Sequence, residues 1–550
     1  MIKSEKKLDI FLFGVIAVLI LAYIFGIFFV NFNGRACIDY DMYSDMMFAK
    51  YMAREKTLFP NGWHFGNQIY VVATPVVAGC LYPLVKDSYT AMAMASCLMT
   101  LLVIASFLWC IKPFSGMKNA AVGLLVLIGG TNIGWTAHKD LEGLQVFYTM
   151  ASYYACYIIG IFLTLGCYCR YFQGIPVKKP LLFAAVLLNL ALGMQSLRET
   201  LVLNLPLCAA VLLQILLNKF CGSRIDANPK KAYFFAAATL LSNISGVILS
   251  KILARIGVFA QAEILQEPHS RLLENVQPAL SAFAQYIGLT LPNDLFTGFR
   301  FAAALLSIFI VVLALASAAA DWFRKKESAI GFGILFFLIS LGAVFAAGVL
   351  VLSLRPIYYF CWYLLVAFSA VYLLEITWNR RPGLLDCLKK LLALALICVS
   401  MVNLKFLFQY SALEIADANA FYGSIAQQLQ EEGTQYLYSD SRTEQPMIAA
   451  MTNDDVVYVT LIPSGDPEDL WKPLSYLYMD DWFDPDNYEN AYILLSDYAL
   501  GAMERNFSPE YRKAFMENLQ PVQEFHGSRN TLTLYRGTPK MYRDIFDGTA

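Results

Sequence analysis

Three carboxylic acids lie within seven residues of the stretch "CIDYDMYSDMMFAKYMARE", which begins at residue 37. Asp41 and Asp45 are four positions apart, so a helix would place them on one face, while Asp39 precedes the pair. A carboxylate can act as a general base on an attacking hydroxyl or amine. Carboxylates also bind cations such as magnesium or manganese, which makes Asp39 and Asp41 candidate metal ligands. The alternative is that the acids only stabilise the first turn of the helix.

Two arginines at the ends of apolar runs are candidates for binding phosphate. Arg198 follows "GMQSL", and Arg355 is followed closely by Tyr358 and Tyr359. A guanidinium group matches phosphate oxygens with paired hydrogen bonds. Each arginine also has a structural interpretation: an ion pair between Arg198 and Glu199, and an interfacial position for Arg355 within an aromatic belt.

Further polar residues in the connecting segments are candidate substrate-binding residues: His64, Lys139, His269 and Arg271. A solvated turn explains Lys139 equally well, and an amphipathic helix on the membrane surface explains His269 and Arg271. The four histidines of the chain are far apart in sequence, so a histidine metal cluster could arise only through the fold.

The composition is that of a membrane protein with several spans. Hydrophobic residues make up 58% of the 550 residues and charged residues only 15%. Apolar runs of about 17 to 25 residues, long enough to cross a bilayer as helices, recur from residue 8 to residue 408. The net charge of −1 provides no field for nucleic acid, which is excluded as a partner. The twelve cysteines are scattered without a CxxC pair and are interpreted as small core residues.

The distribution of lysine and arginine predicts the topology. Basic residues occupy every second loop, which places those loops in the cytoplasm together with the basic N-terminus. The alternation requires the weak run at 69–85, which contains Pro75, Gly79 and Pro83, to be re-entrant or interfacial. Eleven helices then cross the cell membrane, or twelve if that run also crosses. The predicted spans are 8–30, 88–110, 118–134, 147–170, 180–197, 200–218, 232–254, 298–320, 328–352, 357–378 and 386–408.

The chain is predicted to divide near residue 408. Residues 1–408 form the membrane domain, whose first outer loop is 31–69, and residues 409–550 form a soluble domain outside the cytoplasm. The second part is acidic, and its helical stretches alternate with strand-like runs such as "DVVYVTLI" and "AYILLSD". That alternation is typical of a small α/β domain.

The first outer loop resembles that of the GT-C superfamily, the membrane glycosyltransferases that use polyprenyl-phosphate-linked sugars. Members include the protein O-mannosyltransferases and the lipid A aminoarabinose transferases. The resemblance rests on an acid, an aromatic, a small residue, a methionine, a proline and a tryptophan, here Asp41, Tyr43, Ala49, Met52, Pro60 and Trp63. The chain departs from the pattern at Met42, where the family often has a second acid, and in having Pro75 alone instead of a proline pair.

The resemblance implies an enzyme that moves a sugar from a polyprenyl-phosphate donor to a glycan, lipid or protein acceptor, with inversion. Asp41 would be the general base, and Asp45 would assist it or bind a cation. Arg355 and Arg198 would stabilise the departing phosphate. The alternative function is a membrane transporter or a flippase for lipid-linked sugars, which would require ionisable residues within the spans.

Overall fold

Most of the chain is helical. A computed structural model describes residues 2–38, 40–130, 151–221, 229–262, 272–324, 328–350, 359–378, 384–439, 445–452, 455–463, 471–473, 477–506, 508–527 and 531–546. Up to residue 431 its helices are α1 (Ile2–Asn33), α2 (Tyr40–Glu55), α3 (Thr74–Val85), α4 (Ser88–Leu125), α5 (Ala151–Phe172), α6 (Lys179–Gln195), α7 (Leu205–Cys221), α8 (Pro229–Arg255), α9 (Val276–Ile287), α10 (Leu295–Phe323), α11 (Ala329–Leu350), α12 (Cys361–Trp378) and α13 (Leu384–Glu431). π-helical turns extend α4 at Val126–Gly130 and precede α7 at Thr200–Asn204.

Seven helical stretches in the described residues are long and apolar enough to cross a membrane: Ile10–Asn33, Ser88–Gly129, Tyr154–Phe172, Thr200–Leu217, Lys230–Arg255, Leu295–Phe323 and Ala329–Leu350. Shorter apolar helices lie at Lys179–Gln195, Cys361–Glu375 and Leu391–Lys405, each within or close to a predicted span. The predicted class, a multi-pass helical membrane protein, is confirmed.

The stretch Ser88–Gly129 is a hairpin of two helical legs. Gly116 has φ +77°, a conformation that favours glycine, and it breaks the helix just after Pro113. A Cβ added to Gly123 would lie 3.0 Å from the Phe107 ring, whereas sixteen residues of straight helix would separate the two by about 24 Å. The chain therefore reverses at Gly116, between the two predicted spans 88–110 and 118–134.

Helix α3 fits the prediction of a segment that does not cross by itself. Its 12 residues extend about 18 Å, less than the roughly 30 Å of a hydrocarbon core. Pro75 occupies the start of the helix, where its missing N–H has no intrahelical partner to lose. A left-handed residue, Lys86, ends it, and α4 begins at Ser88 with Asp87 as its N-cap.

The C-terminal region is built on a mixed sheet. Its strands are β3 (Tyr436–Ser439), β4 (Val457–Pro463), β5 (Trp471–Pro473), β7 (Ala491–Ser496), β8 (Leu519–His526) and β9 (Thr531–Gly537), in the order β5-β4-β3-β7-β9-β8. Strand β3 is parallel to both neighbours, and the edges of the sheet are antiparallel. Four helices accompany them: α14 (Gln445–Met451), α15 (Asp497–Asn506), α16 (Pro509–Glu517) and α17 (Pro539–Phe546). The α/β character predicted here is confirmed.

Two elements connect the C-terminal sheet to the rest of the protein. Helix α13 continues without interruption through residue 408, so the predicted domain boundary falls inside one helix of 48 residues. A second sheet joins β1 (Trp63–Phe65) to β2 (Ala260–Gln261) and to β6 (Tyr478–Met479). The predicted first outer loop (31–69) is thereby held to the C-terminal region by backbone hydrogen bonds.

Candidate active site

Helix α2 carries the acid pair of the first outer loop. Asp41 lies in its first turn and Arg54 in its last, each at the end where its charge favours the helix dipole. Asp41 is partly exposed, whereas Asp45 has no exposed surface. Asp39 lies outside the described residues.

The packing of α2 explains this difference between the two acids. A Cβ on Gly79 of α3 would lie 2.3 Å from the Met52 side chain and 3.1 Å from the Ala49 carbonyl, so α3 packs closely on that face of α2. At 3.6 residues per turn, Asp45 projects between Met52 and Ala49, towards α3. Asp41 projects from the edge of the same face and keeps part of its surface exposed.

Arg198 belongs to a second polar cluster, which joins the first outer loop to α5 and α6. Its Nη1 donates to Gln68 Oε1 at 2.5 Å, and its guanidinium lies 5.7 Å from the centre of the Tyr154 ring. Tyr157 Oη donates to the same Gln68 oxygen at 3.1 Å. Gln68 Nε2 is buried and has no hydrogen-bond partner in the described part of the chain. The cluster therefore presents N–H donors, which suit an oxyanion.

Gln195 fixes the shape of this cluster. Its Oε1 accepts from the backbone N–H groups of Val71 and Val72, and its Nε2 donates to Tyr157 Oη at 3.1 Å. Ser196 Oγ lies 2.9 Å from the same phenol and accepts the backbone N–H of Arg198. The bond from Ser196 thus holds the backbone at Arg198, while the bonds of Gln195 hold the neighbouring segment and Tyr157. Together they restrict the movement of the cluster.

Glu199 is adjacent to Arg198, but its side chain lies among the helices. It has no exposed surface, and a Cβ on Gly160 of α5 would lie 2.6 Å from its Oε1. Neither carboxyl oxygen has a hydrogen-bond partner among the residues described here. Burial raises the pKa of Glu199 well above its usual value, because the charged carboxylate would lose its hydration among the helices.

Two further predicted site residues, His64 and Tyr359, have other partners. His64 lies in β1, where its Nε2 is 2.8 Å from Asp480 Oδ1 and its ring stacks on Tyr478 at 4.3 Å. Tyr359 is buried beside α9, and its hydroxyl donates to the Ala279 carbonyl at 3.4 Å. The others fall outside the described residues: Lys139, His269, Arg271, Arg355 and Tyr358.

Sequence reasoning missed Gln68, Tyr157 and Gln195, because uncharged side chains in or next to apolar runs carry no distinctive spacing. The one signal was that Gln195 lies immediately before the short polar break that contains Arg198. The described residues contain no group of three or more His, Cys, Asp or Glu side chains placed to hold a metal ion. A cation bound by Asp39 and Asp41 stays a prediction, since Asp39 is not described.

No protein-family model matches the chain, and no curated protein matches it. Among solved structures, the chain is similar to ArnT from Cupriavidus metallidurans bound to undecaprenyl phosphate. The two are 12% identical, the alignment covers 94% of this chain and 97% of that one, and the TM-score is 0.54. The chain therefore has the fold of this ArnT structure over nearly its whole length. At the level of the fold, the GT-C-like architecture predicted from the sequence is confirmed, although the low identity carries over no residue roles.

Proposed function

We propose that the protein transfers a sugar from a polyprenyl-phosphate donor to a glycan, lipid or protein acceptor outside the cytoplasm, with inversion at the anomeric carbon. One observation carries the proposal: the GT-C fold extends over nearly the full length of a neighbour whose structure contains undecaprenyl phosphate. The acid pair of α2 and the donor cluster around Arg198 supply the two chemical functions that such a transfer requires.

Asp41 is the general base in this proposal. As the acceptor oxygen or nitrogen forms its bond to the anomeric carbon, its proton passes to the Asp41 carboxylate. The bond from that carbon to the phosphate oxygen breaks, and the polyprenyl phosphate leaves with the electron pair. Partial exposure makes Asp41 a better candidate than the fully buried Asp45, which supports α2 from the side of α3. Asp39 stays an alternative base.

Arg198 and Gln68 bind the phosphate in this proposal. Negative charge grows on the leaving oxygen in the transition state, and fixed N–H donors stabilise it most at that point. The hydrogen bonds of Gln195 and Ser196 hold this pair in place before the donor arrives. Arg355, Lys139, His269 and Arg271 stay candidates for further contacts with the donor, as do Tyr358 and Tyr359, which follow Arg355 in the sequence.

The proposal places the N-terminus in the cytoplasm, and the acid helix and residues 409–550 outside. Labelling of single cysteines introduced at Lys86 and Ser115 tests this sidedness. The proposal expects external reagents to reach residue 86 but not residue 115. The reverse pattern would show that residues 69–85 cross the membrane.

Transfer itself is tested with purified wild type and Asp41→Asn, given labelled undecaprenyl-phosphate sugars and lipid, glycan or protein acceptor fractions. Removal of a general base lowers the rate about 100-fold or more, with thermal unfolding unchanged. Asp417→Asn, an exposed acid on α13, is the matched control and keeps full activity. Equal turnover by Asp41→Asn would remove Asp41 from the mechanism. Movement of donor lipid across liposomes without transfer would support the transporter or flippase alternative.

A further inference from the structure

Three tyrosines of α2 form hydrogen bonds with the C-terminal region. Tyr40 Oη donates to the Leu477 carbonyl at 3.3 Å. Tyr43 Oη accepts the backbone N–H of Tyr458 in β4 at 2.8 Å, and Tyr51 Oη accepts from Trp482 Nε1 at 2.9 Å. All of these side chains are buried. We call these three bonds the α2 contact.

The α2 contact lies on a different face of the helix from the acids. At 3.6 residues per turn, Tyr40, Tyr43 and Tyr51 fall within an arc of about 80°. Asp41 and Asp45 are about 40° apart, and their arc begins about 80° from that of the tyrosines. The opposite side of α2 packs on Gly79 of α3. The helix is therefore held between α3 and the C-terminal region, with Asp41 at the edge of the gap.

Aromatic packing reinforces the same contact. The Tyr43 and Tyr458 rings meet edge to face with centroids 5.6 Å apart. Trp63 of β1 packs against Tyr51 at 6.3 Å and meets Trp482 edge to face at 6.1 Å. Such pairs have a directional preference, so they restrict rotation as well as separation. The C-terminal region thus fixes the rotation of α2 about its own axis at two points, one near each end of the helix.

We propose that the C-terminal region is a positioning element for the transfer reaction: through Tyr43 and Tyr51 it fixes the rotation of α2 and so aims the Asp41 carboxylate. The inference rests on the proposed function. A side-chain carboxylate about 5 Å from the helix axis moves roughly 1 Å for each 10° of rotation. A displacement of that size can lower a rate by about 100-fold. Tyr43 and Tyr51 are therefore positioning residues that do not touch the substrate.

The test compares Tyr43→Phe, Tyr51→Phe and the double variant with Tyr492→Phe. Tyr492 donates to Glu432 Oε2 at 2.9 Å within the C-terminal region, so its variant loses an equivalent hydroxyl without affecting α2. The first readout is amide hydrogen exchange in residues 40–55, and the second is kcat and KM for transfer. We expect faster exchange in the double variant and a kcat about 10- to 100-fold lower, with KM within about two-fold of wild type. Tyr492→Phe changes neither quantity.

The two readouts separate this inference from the proposed function. Wild-type exchange in residues 40–55 of the double variant overturns the inference, whether or not the protein transfers sugar. A double variant with fast exchange but wild-type kcat also overturns it, because the contact would then hold the helix without aiming the acid. If wild type transfers no sugar, the proposed function fails, and positioning for transfer fails with it, while exchange still reports whether the contact holds α2.

Discussion

Arg198 and Glu199 are consecutive residues whose side chains enter opposite environments. Arg198 donates to Gln68 beside the Tyr154 ring, whereas Glu199 is fully buried against Gly160. The sequence also allowed an ion pair between the two residues. Because Glu199 has no hydrogen-bond partner in the described chain, the two residues do not form that ion pair. The cluster of N–H donors around Arg198 and Gln68 therefore does not include the Glu199 carboxyl.

The stability of the protein should fall with rising pH because of Glu199. An unfolded chain releases the Glu199 proton above a pKa of about 4.3, whereas the folded protein retains it to higher pH, since burial raises the pKa. For one proton the slope approaches about 1.4 kcal/mol per pH unit. Thermal unfolding measured at pH 5 and at pH 7 should show that Glu199→Gln loses less stability between these two pH values than wild type does. The exposed control Glu510→Gln should follow wild type, and parallel curves for Glu199→Gln would contradict the prediction.

Transfer should depend on the planar fork of Arg198 as well as on its charge. Arg198→Ala removes the donor to Gln68 and should lower kcat/KM by about 100-fold, as expected for a group that stabilises leaving-group charge. Arg198→Lys keeps the charge but not the paired geometry, so we expect an intermediate loss of about 10-fold. Steady-state kinetics with the lipid donor measure both, with exposed Arg505→Ala as the control. A wild-type kcat/KM in Arg198→Ala would show that Arg198 does not bind the phosphate and that another residue, such as Arg355, does.

The spans were predictable because bilayer thickness converts directly into a length of apolar sequence. Loop charge predicts that the end of α5 and the end of the first leg of α4 lie on the same side of the membrane. The structure brings Arg170 of α5 to 3.7 Å from the ring centre of Trp109 in α4, where it donates to the Trp109 carbonyl. The side of the membrane that these ends face stays a prediction. The strand-like runs of the C-terminal region form β3, β4, β7 and β9, because alternation and β-branched residues mark strands locally.

The site was less predictable because its contacts join distant parts of the chain. Gln68 meets Tyr157 across 89 positions, and Tyr43 meets Tyr458 across 415. Nothing in the local pattern around Gln68 distinguishes it from an ordinary loop glutamine. The boundary near residue 408 follows a change in composition, but helix formation depends on local propensity, and α13 continues across it. The division into domains at that point stays a prediction.

An ion pair at the start of α4 should stabilise the protein chiefly above acidic pH. Arg35 Nη2 lies 2.5 Å from Asp87 Oδ2, and Arg35 also donates to the Ala450 carbonyl at 3.0 Å. Burial raises the pKa of Asp87, but hydrogen bonds from Arg35 and Thr90 outweigh it and leave the pKa below its usual value. The stabilisation is therefore complete above the unfolded pKa of about 3.9 and is lost as pH falls through the lower folded value.

We expect Asp87→Asn to cost about 1 to 3 kcal/mol at pH 7, because it loses a charged hydrogen bond and weakens the N-cap of α4. Unfolding of wild type, Asp87→Asn, Arg35→Gln and the double variant completes a double-mutant cycle. The sum of the two single losses of unfolding free energy should exceed the loss in the double variant by about 0.5 to 3 kcal/mol. Additive losses would mean that the pair contributes no coupling, and that Asp87 acts only as a cap.

The close contact between α6 and α8 should depend on glycine residues, which have no side chain. A Cβ at Gly193 would lie 2.1 Å from the Asn243 carbonyl oxygen, and one at Gly246 would lie 2.1 Å from the Leu190 carbonyl oxygen. Small residues let helices approach closely in a bilayer, where no hydrophobic force drives them together. The obstacle at Gly193 is backbone, which cannot rotate away as a flexible side chain can. Gly193→Ala should therefore force the two helices apart.

The expected cost of Gly193→Ala is about 1 to 3 kcal/mol or more, by analogy with overpacked cores. Gly342→Ala in α11 is the matched control, since a Cβ there has no atom within 4 Å. Thermal unfolding in detergent should show a lower midpoint for the first variant and little change for the second. Asn243 of α8 also donates to the Asn189 carbonyl and accepts a hydrogen bond from Thr200. Because Thr200 begins the π-helical turn that follows Glu199, separation of α6 and α8 should also displace this turn. We therefore expect Gly193→Ala to weaken binding of the lipid donor as well, and unchanged donor affinity would show that the Arg198 cluster is mechanically independent of this helix pair.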